Sequence, residues 1–194
     1  MNNFKKQIFF ITKNLNKVDE ANEIASKYGV EFKPITIKKI EVQSDNLAKI
    51  AYFSARIIWK KLRKPLVVED SGLYIKAFNG FPGPYSSYVY KTIGYLGILK
   101  LMKDITDRRA YFKSAIAFCD ENICKIFIGT VYGEITNNAR GYYGFGFDPI
   151  FKPEGSTQKT FAEMSLEEKS MYSHRAKSVT KFCIWLNKFL GKVY

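Results

Sequence analysis

Between Gly144 and Arg175 the chain reads GFGFDPIF, then TFAEM, then EEKSMYSHR, so aromatic rings, an Asp-Pro, a lysine and the only histidine share one stretch. Phe145 and Phe147 can stack on a planar group, with Gly146 between them. Ionised Asp148 only accepts hydrogen bonds and Arg175 only donates them. His174 titrates near neutrality, so it can do either. The combination suits gripping a flat, polar ligand. The bland alternative for each is also open: Phe145 and Phe147 alternate like core residues of a strand, Lys169 reads as a solvated helix charge, and His174 as a residue at a helix start.

Two upstream segments carry complementary chemistry. LVVEDSGL at 66–73 sets Glu69 and Asp70 side by side after three apolar residues. A carboxylate at the end of a buried strand serves as a metal ligand or a general base. An Asx turn into Ser71-Gly72 explains the pair equally well. Successive strand residues face opposite sides, so one carboxylate faces a given cleft while the other packs or hydrogen-bonds behind it. TKNLNK at 12–17 joins an apolar run to a helix, where backbone N-H groups and the helix dipole favour an anion. Capping by Asn14 or Asn16 accounts for that segment too.

The elements that must hold these residues follow from periodicity. QIFFI at 7–11 is a buried strand, and Val18, Ala21, Ile24, Ala25 and Tyr28 form one face of a helix ending before Gly29. Glu31 to Ile40 reads as one or two strands interrupted at Pro34. A second helix buries Leu47, Ile50, Ala51, Ser54, Ala55, Ile58 and Leu62, with Ser44 or Asp45 as cap and Lys49, Arg56, Lys60 and Lys61 on its solvated face. FNGFPGPYSS at 78–87 is a loop, followed by a helix around Gly97 to Met102. Residues 110–120 and 122–135 form an antiparallel pair about Asp120-Glu121-Asn122, with a third strand after Gly129. Ser165 and Glu168 fit a capping box. The last helix buries Ala176, Val179, Phe182, Cys183, Leu186 and Phe189 and stops at Gly191.

At 194 residues the chain fits one domain with two lobes around a cleft. No apolar run reaches the length of a membrane span and no signal peptide is evident, which predicts a cytoplasmic protein. Cys119, Cys124 and Cys183 are odd in number and lack C-x-x-C pairing, so the expectation is small core residues rather than a disulfide framework or a zinc site. A net charge of +13 points to anionic partners. Together with 16% aromatic residues it also fits a module binding single-stranded nucleic acid. That alternative explains the charge but not the Glu69-Asp70 pair or Asp148, which repel phosphates unless a metal intervenes.

The order of the motifs is more specific than any one of them. T-x-N-x-x-K at 12–17, VEDSGL at 68–73, GFPGPYS at 80–86, GFGFDPIF at 144–151, TFAEM at 160–164 and EEKS with SHR at 167–175 together resemble the inosine triphosphate pyrophosphatase family, over nearly the whole chain. The resemblance implies an α/β fold, with a long, mixed, twisted sheet flanked by helices and a nucleotide between two lobes. It implies a Mg²⁺-dependent enzyme that converts ITP, dITP or XTP to the monophosphate and pyrophosphate, a homodimer, and no stable nucleic-acid partner. Carried over by motif, Asp70 is metal ligand and proton acceptor, and Glu41 the other metal ligand, with Asp45 the competing carboxylate. Thr12, Asn14 and Lys17 hold phosphates, Lys13, Leu15 and Asn16 of the same turn bind substrate, and Ser71 contacts substrate. Phe145, Gly146, Phe147, Asp148, Lys169, His174 and Arg175 bind the nucleotide. Many members carry a lysine sixteen residues before the catalytic aspartate, where this chain has Ser54.

The base contacts implied in this way have a chemical logic. A 6-oxopurine presents an acceptor at O6 and a donor at N1, whereas adenine presents the reverse. Donating Arg175 and accepting Asp148 match the first and leave groups unpaired against the second, which gives discrimination.

Overall fold

A computed structural model of the chain describes residues 6–37 and 42–190, Leu190 in its backbone alone. Six strands form one mixed sheet in the order β2-β1-β3-β4-β5-β6. Strand β1 (Lys6–Ile11) runs parallel to β2 (Val30–Ile35) and β3 (Leu66–Ile75). Strands β4 (Arg109–Cys119), β5 (Cys124–Ile135) and β6 (Phe151–Pro153) continue it antiparallel. The expected mixed sheet with flanking helices is the observed architecture.

Helices cover both faces, as strands buried on both sides require. Helix α1 (Leu15–Ala25) and the last helix, α6 (His174–Leu190), pack on one face, where Val18, Ala21 and Ile24 meet Phe182, Cys183 and Leu186 over Phe10, Val67 and Phe118. Helix α2 (Leu47–Leu62) covers the other with Leu47, Ala51, Ala55 and Ile58 against Leu66, Val68, Ala115 and Ala117. A third cluster, around Leu73, Ile75, Phe112, Phe151 and Phe161, lies where the short helices α3 (Ser86–Thr92) and α4 (Gly94–Leu101) meet the long antiparallel strands. Helix α5 (Leu166–Tyr172) leads into α6.

Several local expectations are corrected. Pro34 does not interrupt β2, because β2 is an edge strand whose outer side needs no N-H donor. The cap of α2 is Asn46, whose side chain accepts from the N-H groups of Ala48 and Lys49, rather than Ser44 or Asp45. No third strand begins after Gly129; β5 runs unbroken to Ile135. Glu168 does not close a capping box with Ser165. Its carboxylate binds Lys159 at 2.9 Å, and the complete box is Thr160 with Glu163. Cys119 and Cys124 face each other across the β4–β5 hairpin and form a disulfide, since the turn between them makes sequence neighbours into direct cross-strand partners. Cys183 is a buried thiol whose pKa burial pushes up to about 12.

The most consequential correction concerns LVVEDSGL. It is not a strand ending in a turn: β3 continues through Glu69, Asp70, Ser71 and Gly72 to Ile75, paired residue for residue with β4. No Asx turn forms there. Gly72 is needed because a Cβ would collide with the carbonyl of Gly83, where the 80–86 loop folds back onto the strand.

Candidate active site

Alternation along β3 divides the two carboxylates. Val67 packs toward α1 and α6, Val68 toward α2, so Glu69 points to the first helices and Asp70 to the side of α2. Glu69 is buried and is gripped by Lys17 Nζ at 2.8 Å, Arg175 Nη2 at 3.2 Å and the hydroxyl of Ser114 at 2.8 Å. Burial alone would raise its pKa, but Arg175 and then Lys17 outweigh that and hold it far below the usual carboxylate range. Asp70, half-buried, lines a cavity of about 990 Å³.

That cavity gathers the expected residues from distant segments. Thr12, Lys13, Asn14, Leu15, Asn16 and Lys17 form one wall, Asp70 and Ser71 a second, and Phe145, Gly146, Phe147, Asp148, Lys169, His174 and Arg175 a third. Glu41 lies outside the described residues. Thr12 Oγ1 accepts from the Asn14 N-H at 3.0 Å and folds the turn, while Asn14, at the cap position of α1, makes no side-chain cap bond. The first N-H groups of α1 are therefore not capped by that side chain, as an anion-binding turn needs.

The TFAEM segment positions the third wall. The Ala162 carbonyl accepts from the N-H groups of Tyr142 and Tyr143, and Thr160 donates to the Arg140 carbonyl. Gly144 then turns at φ +74°, where a Cβ would strike the Asp148 carboxylate, which accepts from the Phe145 N-H at 2.8 Å. Ser173 Oγ accepts from the Ala176 N-H and starts α6, placing His174 and Arg175 at its first turn.

Behind this wall stands a residue that the sequence reading passed over. Glu20 of α1 is buried and binds Lys169 Nζ at 2.5 Å through one oxygen and Arg175 through the other. Lys169 also lies 2.5 Å from Asp148, so two carboxylates share one ammonium. Burial would raise Glu20, but Arg175 and then Lys169 lower it. Asp148 goes the other way: burial raises it, Lys169 opposes, and the neighbouring Glu20 adds to the rise. No local spacing marks Glu20, because its partners lie 149 and 155 residues away along the chain. Arg175 also donates to Ser71 Oγ at 3.2 Å, so the guanidinium ties α1, β3 and α6 together.

Phe147 is buried and sets its ring edge-on to Tyr90, while Phe145 is half-buried with Lys169 and Arg175 5.1 Å and 5.5 Å from its ring centre. His174 stacks on Phe112 at 4.8 Å, a cavity residue that the sequence reading also missed. Burial, and then Arg175, push the His174 pKa well below its usual value, so the ring is neutral at pH 7. Two polar atoms of this wall, His174 Nδ1 and Arg175 Nε, are buried without a hydrogen-bond partner. Orphaned groups on a cavity wall mark a place prepared for a ligand.

His174 is the only histidine, which makes its burial measurable. Folding to a neutral histidine is favourable above the unfolded pKa of about 6.5 and is opposed below it by up to about 1.4 kcal/mol per pH unit. Stability should therefore fall between pH 7 and 5, with Asp148, whose raised pKa acts in the opposite sense, moderating the slope. Denaturant titrations at the two pH values check this: His174→Gln should flatten the fall, and an identical fall in the variant refutes the assignment.

Residues 8–185 match the model of the Ham1 family. The chain belongs to the Ham1 family. It is 49% identical to the dITP/XTP pyrophosphatase of Saccharolobus solfataricus over 96% of each chain, and 47% identical to that of Hyperthermus butylicus over 94% of this chain and 95% of the relative. The Ham1 protein of Staphylococcus aureus has the same fold, with a TM-score of 0.80 at 29% identity, covering 94% of this chain and 99% of that one. A HAM1 protein from Coxiella burnetii has the same fold too, with a TM-score of 0.81 at 29% identity, covering 94% of this chain and 99% of that one. Membership in the Ham1 family accounts for the ordered motifs. The buried Glu20 cluster shows how this member holds three of those segments together.

Proposed function

We propose that the chain is a dITP/XTP pyrophosphatase, hydrolysing 6-oxopurine nucleoside triphosphates such as dITP, XTP and ITP to the monophosphate and pyrophosphate. The observation that carries this is the convergence of the 12–17 turn, Asp70-Ser71 and the 145–175 wall on one cavity. Phosphate-binding, metal-binding and base-binding chemistry thereby share a single space. In this reading the chain is one domain whose two lobes enclose the nucleotide, acting in the cytoplasm, as the sequence predicts, and as a homodimer, as the family resemblance implies. No helix among the described residues is long and apolar enough to cross a membrane.

The donor set fits Mg²⁺. Among the described residues no three His, Cys, Asp or Glu side chains gather as a metal group. Mg²⁺ takes one or two carboxylates and completes its shell with water and substrate phosphates. Asp70, facing the cavity, supplies an oxygen donor of that type, and Glu41 is the proposed second. Bound there, the metal would neutralise phosphate charge. Asp70 would accept the proton of the attacking water, with the uncapped start of α1 and Lys17 beside the phosphates.

On the base side, Asp148 held by Lys169 and the Phe145 N-H presents acceptor capacity, while Arg175 Nε is a free donor. Neutral His174 adds a second hydrogen-bonding nitrogen. A 6-oxopurine satisfies that set better than adenine does, and the failure to pair buried groups produces discrimination of about 10² or more. Pyrophosphate release from dITP, XTP, ITP, GTP and ATP, with and without Mg²⁺, tests the assignment. Rapid Mg²⁺-dependent release from the first three and slow release from ATP is the expected result. Equal rates on ATP, or orthophosphate as the first product, would remove it.

A further inference from the structure

The buried charges of the site cancel among themselves. Lys17, Lys169 and Arg175 are three cations, and their ion-pair partners are the three carboxylates Glu20, Glu69 and Asp148. Neutral His174 adds nothing. With those pairs cancelled, Asp70 is a further negative charge on the cavity wall, which is the wrong sign for a polyanionic substrate. A metal answers part of this. The remaining attraction must come from cations not already engaged.

Two lysines on the wall have no carboxylate within ion-pair distance among the described residues: Lys13, in the turn before α1, and Lys91, near the end of α3. Lys13 belongs to the TKNLNK turn already assigned to phosphates. Lys91 lies outside every motif that the sequence singled out. Its helix is well fixed. Ser86 Oγ accepts from the Leu73 N-H at 2.8 Å and donates to the Gly83 carbonyl at 2.7 Å, which pins the start of α3 to β3 two residues beyond Ser71. At the other end Tyr90 meets Phe147 edge-on at 5.5 Å. Lys91 is thus presented at the cavity rim by a helix anchored to two walls. Helix α2 offers no substitute, since Ser54 is fully buried and Arg56 is not on the wall.

We propose that Lys91 contacts the triphosphate of the substrate, and that with Lys13 it supplies the positive charge that the self-neutralised interior does not. This rests on the pyrophosphatase reading for its substrate. A cation on the departing pyrophosphate also stabilises charge that grows as the bond to the α-phosphorus breaks.

The test compares wild type, Lys91→Gln, Lys91→Arg and, as a remote charge control on α4, Lys100→Gln. Binding of inorganic tripolyphosphate is measured by calorimetry at fixed Mg²⁺, and KM and kcat are measured for dITP. Lys91→Gln should weaken tripolyphosphate binding and raise KM about fivefold to tenfold, the size of one partly exposed charge-assisted contact. Lys91→Arg should restore both, Lys100→Gln should match wild type, and all four should unfold at similar temperatures. Unchanged tripolyphosphate affinity in Lys91→Gln, an equal loss in Lys100→Gln, or no tripolyphosphate binding by wild type overturns the proposal. Failure of wild type to hydrolyse dITP or XTP would sink the activity instead, and the tripolyphosphate comparison would still decide Lys91.

Discussion

Asp70→Asn should lose turnover by about 10²- to 10⁴-fold, the range associated with a general base, while unfolding within a few degrees of wild type. The amide keeps the shape of the side chain but cannot take a proton and is a poor ligand for a hard cation. Its neighbour should behave in the opposite way. Glu69 is buried with Lys17, Arg175 and Ser114 on its oxygens. Glu69→Gln therefore strands Lys17, leaves Arg175 with Glu20 alone and should cost stability first, with activity following the loss of folded protein. Parallel measurement of melting temperature and of pyrophosphate release from dITP separates the two outcomes. A near-normal rate in Asp70→Asn would remove that residue from the chemistry, whatever its effect on folding.

The contrast between these neighbours shows what the sequence makes legible. Strand alternation alone says that Glu69 and Asp70 face opposite sides, and they do. It does not say which faces the cavity, because that depends on what packs on each side of the sheet. The local course of 145–175 is also legible, since loop, glycine turn and helix start have local signatures, and its expected residues line one cavity. The continuous course of β3 through Ser71 and Gly72 was hidden, because Ser-Gly is a turn signal that ten ladder pairs with β4 override. Lys91 was hidden for a different reason. Nothing in its neighbourhood distinguishes it from the solvated lysines of a strongly basic chain.

Glu20 is the clearest case of information that local pattern does not contain. Its partners Lys169 and Arg175 lie 149 and 155 residues away, so the DEANE segment reads as an ordinary polar helix face. In the fold it is buried, and it holds two side chains of the base wall at once. Breaking a buried ion pair by removing one partner costs about 3–5 kcal/mol, because the remaining charge is left without compensation. Glu20→Gln keeps volume and leaves three cations facing two carboxylates.

The expected result is a large drop in melting temperature, about 2–4 °C per kcal/mol for a chain of this size. A second expected result is a lower preference for dITP over ATP, because Arg175 and Lys169 lose the anchor that fixes their donors. Adding Lys169→Met to Glu20→Gln removes the stranded ammonium together with its lost partner. The double variant should then be more stable than the sum of the two single losses predicts, since the two residues belong to one network. Denaturant midpoints for the four proteins of this cycle measure the coupling. Simple additivity, with the dITP to ATP ratio unchanged in Glu20→Gln, would reduce Glu20 to an incidental buried charge. Coupling together with a shifted ratio would make it the residue that positions the base-reading side chains from behind.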